Sequence, residues 1–191
     1  MEFHEEMDET LIKQFLSVKK YGGFYISQHT ISEFEEPSSI RNHMPWTGLT
    51  FSEAVIESKK LAKNIKGVES HLLYGAEFDS VLEWILHTRN KSVIEVIHDS
   101  SSWGNYSSDN TPNKIAMTGS SKKYCVNNIF DLAGNVWQWT NEKNGDFIIK
   151  SVIRGGAYDK EGNRYPASYR YTYPHDFSSD MIGFRVALCI A

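Results

Sequence analysis

The 191-residue sequence predicts an α+β fold in which two main helices pack on a small twisted sheet of mixed or antiparallel strands. Two observations predict this class. Helical periodicity is confined to the first half of the chain, and the second half holds short β-like runs between long polar loops. At this length we expect a single domain over residues 1–191.

The chain opens with a predicted leading helix, assigned to residues 1–22. Leu11, Phe15 and Val18 recur at helical spacing, and Gly22 and Gly23 end the pattern. Residues 24–31 alternate and are rich in aromatic and β-branched side chains, which predicts a strand. Residues 35–48 are polar, contain two prolines and are predicted to form a loop.

Two further helices are predicted before residue 91. Thr50 and Glu53 have the spacing of a capping box, in which hydroxyl and carboxylate satisfy each other's backbone amides, at the start of a helix over 50–65. A second helix over 77–90 has an apolar face with Trp84 beside it, and that face is formed by Phe78, Val81, Leu82 and Ile85.

The second half is predicted to consist of loops and late strands. Residues 99–123 are rich in serine and asparagine and read as loop. Gly134-Asn135 predicts a tight turn with positive φ angles, and the strand after it places Trp137 and Trp139 on one face. Strands are also predicted over 147–156 and 182–191; the last should bury one face, formed by Ile182, Phe184, Val186 and Leu188.

Composition narrows the classes of partner. The formal net charge is −4, and no basic stripe is available to neutralise phosphates, so we expect no nucleic-acid partner. No apolar run approaches the length of a membrane span and the N-terminus is acidic, so we expect no membrane insertion and no signal peptide; the location is left unknown. Cys125 and Cys189 cannot form a disulfide framework, and the sequence leaves their pairing open.

Three motifs stand in order along the chain: NIFDLAGNVWQW (128–139), VIRGGAYD (152–159) and IGFRVALCIA (182–191). Together they resemble the formylglycine-generating-enzyme or sulfatase-modifying-factor domain family. The resemblance implies a C-type-lectin-like fold. It assigns a structural role to matched residues of the three motifs, namely Gly134, Asn135, Trp137, Trp139, Arg154, Gly155, Gly156, Gly183, Phe184 and Arg185.

The chemistry of that family does not carry over residue by residue. Members that oxidise a cysteine are thought to bind Cu(I) through two cysteines beyond the Arg-Gly-Gly motif, and residues 157–180 contain none. The seven histidines show no ligand-like pairing for the iron-dependent relatives, and the usual motif glutamate is Gln138. We therefore expect no catalytic residues and no metal site, with a divergent oxidase as the alternative.

A tyrosine-rich segment fills the region between the second and third motifs. Residues 158–180 contain five tyrosines among small polar residues, the composition of an antibody paratope. In an extended strand, Tyr169, Tyr171 and Tyr173 would lie on one face. The predicted ligand-binding residues are Tyr158, Asn163, Tyr165, Ser168, Tyr169, Tyr171, Tyr173, His175, Asp176 and Phe177. Packing of these tyrosines beneath the sheet is the alternative, and Arg170 is expected to tie backbone carbonyls as scaffold.

This arrangement resembles the variable proteins of phages and bacteria that use the same fold, some of them diversified by retroelements. The resemblance implies a binding module, encoded by a phage or prophage, whose partner is a protein or glycan receptor on a cell surface. It also implies self-association, as in trimeric phage receptor-binding proteins, and a virion location. A structural part of a phage tail or baseplate is a further alternative. Oxygens of Asn127, Asn128, Asp131 and Asn135 leave Ca²⁺ open as a cofactor.

Overall fold

A computed structural model of the protein describes residues 22–108, 113–143 and 150–190. The helices are α1 (Phe51–Ser58) and α2 (Gly75–His87), with a π-helical turn at Ile94–His98 and a 3₁₀ turn at Lys122–Tyr124. The strands are β1 (Tyr25–Ile26), β2 (Ser32–Phe34), β3 (Glu36–Ser38), β4 (Val68–Leu72), β5 (Cys125–Val126), β6 (Ile129–Phe130), β7 (Trp137–Lys143), β8 (Lys150–Arg154), β9 (Arg170–Pro174), β10 (Ile182–Phe184) and β11 (Val186–Ile190). The predicted leading helix lies outside the described residues, apart from Gly22.

Two small sheets form the centre of the fold. One has the order β1-β11-β4 and is antiparallel throughout. The other has the order β10-β7-β8-β9; its β10-β7 pair is parallel and the other pairs are antiparallel, so β9 is an edge strand. The predicted α+β class, with two helices and a mixed sheet, is confirmed.

Both predicted helices are present. The capping box of α1 is formed: the Glu53 amide donates to Thr50 Oγ1 at 3.3 Å, and the Thr50 amide donates to the Glu53 carboxylate at 2.8 Å. The helix ends at Ser58 and is shorter than predicted, because turns replace it over the following residues. In α2, the four predicted apolar residues are buried and Trp84 is 47% exposed. Neither helix has the length and apolar character that crossing a bilayer requires.

Two expectations for the first half were wrong in detail, and one strand was not predicted. The strand predicted over 24–31 is limited to β1, because the chain then leaves the sheet. The predicted loop 35–48 begins inside a β2-β3 hairpin; Pro37 lies in β3, where a strand with a single neighbour tolerates a missing N–H. Strand β4 was not predicted, since Val68–Leu72 alternates only weakly, and it takes its conformation from pairing with β11.

The predicted C-terminal strand divides at Arg185 into β10 and β11, which belong to different sheets. Its burial also differs from the prediction, because both faces of β11 are covered. Val186 packs in a cluster with Trp137 and Trp139, while Ala187 packs in a second cluster against α2. The strand therefore runs between two hydrophobic clusters.

Arg185 joins the two sheets at this division. Its side chain is fully buried; Nη1 donates to the Ser27 carbonyl at 2.6 Å, Nη2 to the Phe130 carbonyl at 2.5 Å and Nε to Gln138 Oε1 at 3.0 Å. Burial lowers the pKa of Arg185 to about 10, an effect that the nearby Asp131 carboxylate opposes. The buried guanidinium thus ties the N-terminal segment, the β6 segment and β7 together.

Candidate functional site

The segment between β8 and β10 carries a chain of touching aromatic rings. Tyr171 and Tyr173 in β9 have ring centroids 5.1 Å apart, and Tyr173 stacks on Phe177 at 4.1 Å with the ring planes 7° apart. At the other end, Tyr165 and Tyr169 contact each other at 5.1 Å. We call the set the aromatic surface: Tyr165, Tyr169, Tyr171, Tyr173 and Phe177, with Trp137 beneath it.

Trp137 supports the surface from the sheet. Its ring lies 5.8 Å from Tyr165, 6.2 Å from Tyr169 and 6.5 Å from Tyr171, and its side chain is only 4% exposed. Trp137 and the β9 tyrosines lie on the same face of the sheet, and their large rings reach one another across β8, which pairs with both β7 and β9. The tyrosines are therefore neither sealed in the core nor free loop side chains; they pack on the sheet with an outer side in solvent.

Exposure differs along the surface. Tyr171 is 43% exposed, whereas Tyr165, Tyr169, Tyr173 and Phe177 are half-buried. The neighbours restrict the exposed ring, so little conformational entropy would be lost when a partner binds to it. This is the geometry expected of a rigid aromatic contact residue.

Two glycines turn the chain from β8 toward this surface. Gly155 and Gly156 have φ angles of +93° and +77°. A Cβ on Gly156 would come within 2.6 Å of both the Tyr106 ring and the Tyr165 carbonyl oxygen. The Tyr106 hydroxyl donates to the Gly155 carbonyl at 2.8 Å inside the core. Glycine is needed at this bend because of both φ and close packing.

The second motif tryptophan is also scaffold. Trp139 is fully buried, and its indole N–H donates to the Leu49 carbonyl at 3.0 Å. The Gly134-Asn135 turn has positive φ at both residues, as predicted. The Asn135 side chain is buried and accepts from the Ala116 amide at 2.8 Å, which fixes the long loop against the turn. These residues hold the site in place and do not line it.

Arg170 is scaffold through partners other than the expected carbonyls. Its Nε donates to Glu142 Oε1 at 2.7 Å and its Nη2 donates to Asp79. Arg154, fully buried, donates to the same two carboxylates at 3.1 Å and 2.6 Å and lies 4.6 Å from the centre of the Phe78 ring. The expectation of carbonyl partners was wrong because α2 and β7 bring two carboxylates to the start of β9.

The remaining predicted ligand-binding residues are distributed around the surface. Tyr158 is half-buried, and burial, followed by the Asp180 and Asp159 carboxylates, raises the pKa of its phenol. His175 is half-buried with its ring 4.9 Å from that of Phe51, and Asp176 is exposed beyond the end of β9.

Two others are not brought into the row of rings. Asn163 is exposed in a turn that precedes Tyr165. Ser168 is half-buried, and its amide donates to the Val96 carbonyl at 3.3 Å, which ties the segment to the π-helical turn. Their assignment as binding residues stays a prediction.

Sequence reasoning missed Phe51 and Lys160 at the margin of the surface. Phe51 opens α1 and contacts both Trp139 and His175. Lys160 Nζ lies 2.7 Å from Asp159 Oδ2. Phe51 is more than one hundred residues from His175 in sequence, and no local pattern signals so distant a contact.

Side chains of three of the four residues weighed for Ca²⁺, namely Asn127, Asp131 and Asn135, form hydrogen bonds within the protein. Asn127 bonds with Thr88 at the end of α2, and Asp131 accepts from the Gly119 amide at 2.8 Å. Within the described ranges, no group of three or more His, Cys, Asp or Glu side chains is arranged to hold a metal ion. Cys125 is half-buried and Cys189 buried, and neither is part of a disulfide.

The sequence matches one known protein family, and the fold is similar to several solved structures. Residues 8–190 match the model of the sulfatase-modifying factor enzyme 1-like domain. The fold is similar to that of Treponema denticola variable protein 1, with a TM-score of 0.57 and 14% identity over 84% of this chain and 75% of that one. It is also similar to PvdO from Pseudomonas aeruginosa, with a TM-score of 0.56 and 15% identity over 95% and 77%.

A third similar structure is the I1 variant of Major Tropism Determinant, with a TM-score of 0.53 and 14% identity over 88% of this chain and 50% of that one. This chain thus spans half the length of that protein. No match was found among curated protein sequences. At these identities the structural likenesses show the fold, and the family model shows the relationship. The chain belongs to the sulfatase-modifying factor enzyme 1-like domain family and has the C-type-lectin-like fold of the variable proteins.

Proposed function

We propose that this domain is a non-catalytic binding module that presents the aromatic surface to a receptor, protein or glycan, on a cell surface. The observation that carries the proposal is Tyr171, a 43% exposed ring held by half-buried rings over a buried tryptophan. Exposed rings of this kind supply large contact area at low entropic cost and are frequent contributors to binding energy.

Two further points support a binding role over catalysis. The segment after Gly156 carries tyrosines where the resemblance would place two copper-binding cysteines. A variable protein and a tropism determinant also share this fold, at identities that show no more than the fold. Phage or prophage origin, trimeric assembly and a virion location belong to the same proposal.

The test is binding of fluorescently labelled protein to a panel of bacterial cells and to a printed glycan array. We expect Tyr171→Ala to weaken the observed binding about tenfold or more, since a central aromatic contact is removed. The matched control is Tyr25→Ala, which removes a 63% exposed tyrosine from β1 in the other sheet and should leave binding unchanged.

Two results would overturn the proposal. If wild type and Tyr171→Ala bind equally well, the aromatic surface does not contribute to receptor binding. Copper or iron retained through purification, together with oxygen consumption on a thiol peptide, would favour the divergent oxidase.

A further inference from the structure

The cations of residues 158–180 are each paired with a nearby carboxylate. Every lysine and arginine of residues 158–180 has a carboxylate partner: Lys160 with Asp159, Arg164 with Glu161, and Arg170 with Glu142 and Asp79. Buried Arg154 shares the last two carboxylates. None of these cations is therefore available to balance further acidic side chains nearby.

Two carboxylates of the same segment, those of Asp176 and Asp180, are not among these ion pairs. Asp176 and Asp180 are exposed, and in the part of the chain that the structure describes neither forms an ion pair with lysine or arginine. Asp176 lies between His175 and Phe177, and the Phe177 ring stacks on Tyr173. Burial raises the pKa of the Tyr158 phenol, and the nearby Asp180 carboxylate adds to this effect. Asp176, just after β9, and Asp180, just before β10, are thus two carboxylates without a paired cation in this segment.

Ring faces and unbalanced carboxylates both attract cations. The face of a tyrosine ring carries negative potential, and a carboxylate adds a full negative charge. Arginine suits such a site best, because its guanidinium is planar, weakly hydrated and stacks on rings. A neutral sugar could use the ring faces but would gain no charge attraction from the carboxylates.

The protein already holds one guanidinium in this way. Arg154 lies 4.6 Å from the centre of the Phe78 ring and donates to Asp79 and Glu142. There a ring face and two carboxylates surround a buried arginine of the fold itself. The segment that carries the aromatic surface also contains ring faces and carboxylates, and there they are exposed to solvent.

Building on the proposed function, we propose that the partner of the aromatic surface is a protein segment with an exposed arginine. Its guanidinium lies over the rings of Tyr171 and Tyr173 and faces the carboxylates of Asp176 and Asp180. The partner is therefore a protein with a basic contact patch, and the neutral glycan is the competing outcome.

The test uses defined probes and NMR of the whole chain. The probe is the capped peptide Gly-Ser-Arg-Gly-Arg-Ser-Gly, and its twin carries citrulline, the uncharged isostere, in place of both arginines. We expect the arginine peptide to shift the Tyr171 and Tyr173 ring resonances saturably. The citrulline twin should bind more weakly by about tenfold or more. Asp176→Asn and Asp180→Asn should each weaken the arginine peptide about two- to fivefold.

Glu33→Gln is the control, since it removes an equal charge from an exposed position in β2. Equal binding of both peptides, no shift with the arginine peptide, or an equal effect of Glu33→Gln would overturn the inference. If a neutral hexasaccharide shifts the Tyr171 ring instead, the inference fails and the proposed function stands. If Tyr171→Ala also leaves cell and glycan binding intact, both fail.

Discussion

The three family motifs and the aromatic surface are neighbours in the sequence. They differ in how far their side chains are buried and in which contacts hold those side chains. Arg185, Trp139 and Gln138 are at most 1% exposed and donate to defined acceptors. Tyr171 is 43% exposed and is held mainly by ring contacts. We therefore expect the first region to fix the fold and the exposed side chains of the second to tolerate substitution.

The two arginines that share Asp79 and Glu142 show the same contrast at close range. Arg154 has no exposed side-chain area and Arg170 is 47% exposed. The ion pairs of Arg154 and Arg170 should therefore contribute very different amounts to the free energy of unfolding, although their carboxylate partners are the same, because solvent screens the pairs of exposed Arg170.

The largest expected effect is at Arg185. Arg185→Ala would leave the Ser27 and Phe130 carbonyls and the Gln138 amide oxygen buried without their donor, and we expect a loss of about 4 kcal/mol in the free energy of unfolding. Urea denaturation measures it. Arg164→Ala is the control, since that side chain is 73% exposed and its loss should stay within about 0.5 kcal/mol. Similar losses in both would show that burial does not separate the two regions.

The next largest effect is expected at Arg154, the last residue of β8, and at its neighbour Arg170, the first residue of β9. Arg154→Gln should cost about 3 kcal/mol, because a buried cation and its contact with Phe78 are removed. Arg170→Gln should cost less than about 1 kcal/mol. Urea denaturation of both variants measures the difference, and a reversed order would contradict the assignment of the network to the scaffold.

Gly156→Ala tests the bend between the regions. The new Cβ would be strained at a φ of +77° and would meet the Tyr106 ring and the Tyr165 carbonyl, so we expect a loss of about 2 kcal/mol or more. Thermal unfolding measures the change. Gly48→Ala is the matched control, because its φ is +79° with no atom within 4 Å of the added Cβ, so only the backbone strain should appear.

The smallest expected changes in stability are those of two tyrosine variants of the aromatic surface, which should differ from each other. Tyr173→Ala removes a half-buried ring stacked on Phe177 and should cost about 1–2 kcal/mol. Tyr171→Ala removes the exposed ring and should cost about 0.5 kcal/mol. Differential scanning calorimetry measures both. A larger loss for Tyr171 than for Tyr173 would mean that the exposed ring is part of the core.

Local sequence patterns predicted the parts of the fold that depend on local chemistry. The Thr50–Glu53 capping box, the apolar face of α2 and the Gly134-Asn135 turn each arise from neighbouring residues. The division of the last strand at Arg185 could not be predicted in this way, because alternation continues through it while its partners lie in two sheets. Strand β4 was missed for a related reason, since pairing with β11 determines it.

The candidate site was predicted in composition and only partly in geometry. Alternation placed Tyr169, Tyr171 and Tyr173 along one face, where their rings now contact one another or Trp137. The pairing of Arg170 with Asp79 was not predictable, because α2 brings that carboxylate to β9 from 91 residues away. Long-range packing, which no local pattern encodes, decides which rings are covered.

The exposed side chains of the binding surface should contribute little to the stability of the scaffold that carries them. The most direct measurement is the free energy of unfolding of one variant that combines changes at four exposed positions: Asn163→Ala, Tyr171→Ala, Asp176→Ala and Asp180→Ala. We predict a value within about 1 kcal/mol of wild type and an unchanged denaturant dependence, because none of these side chains is buried. A loss of about 3 kcal/mol or more would show that the surface is part of the fold and would contradict the account.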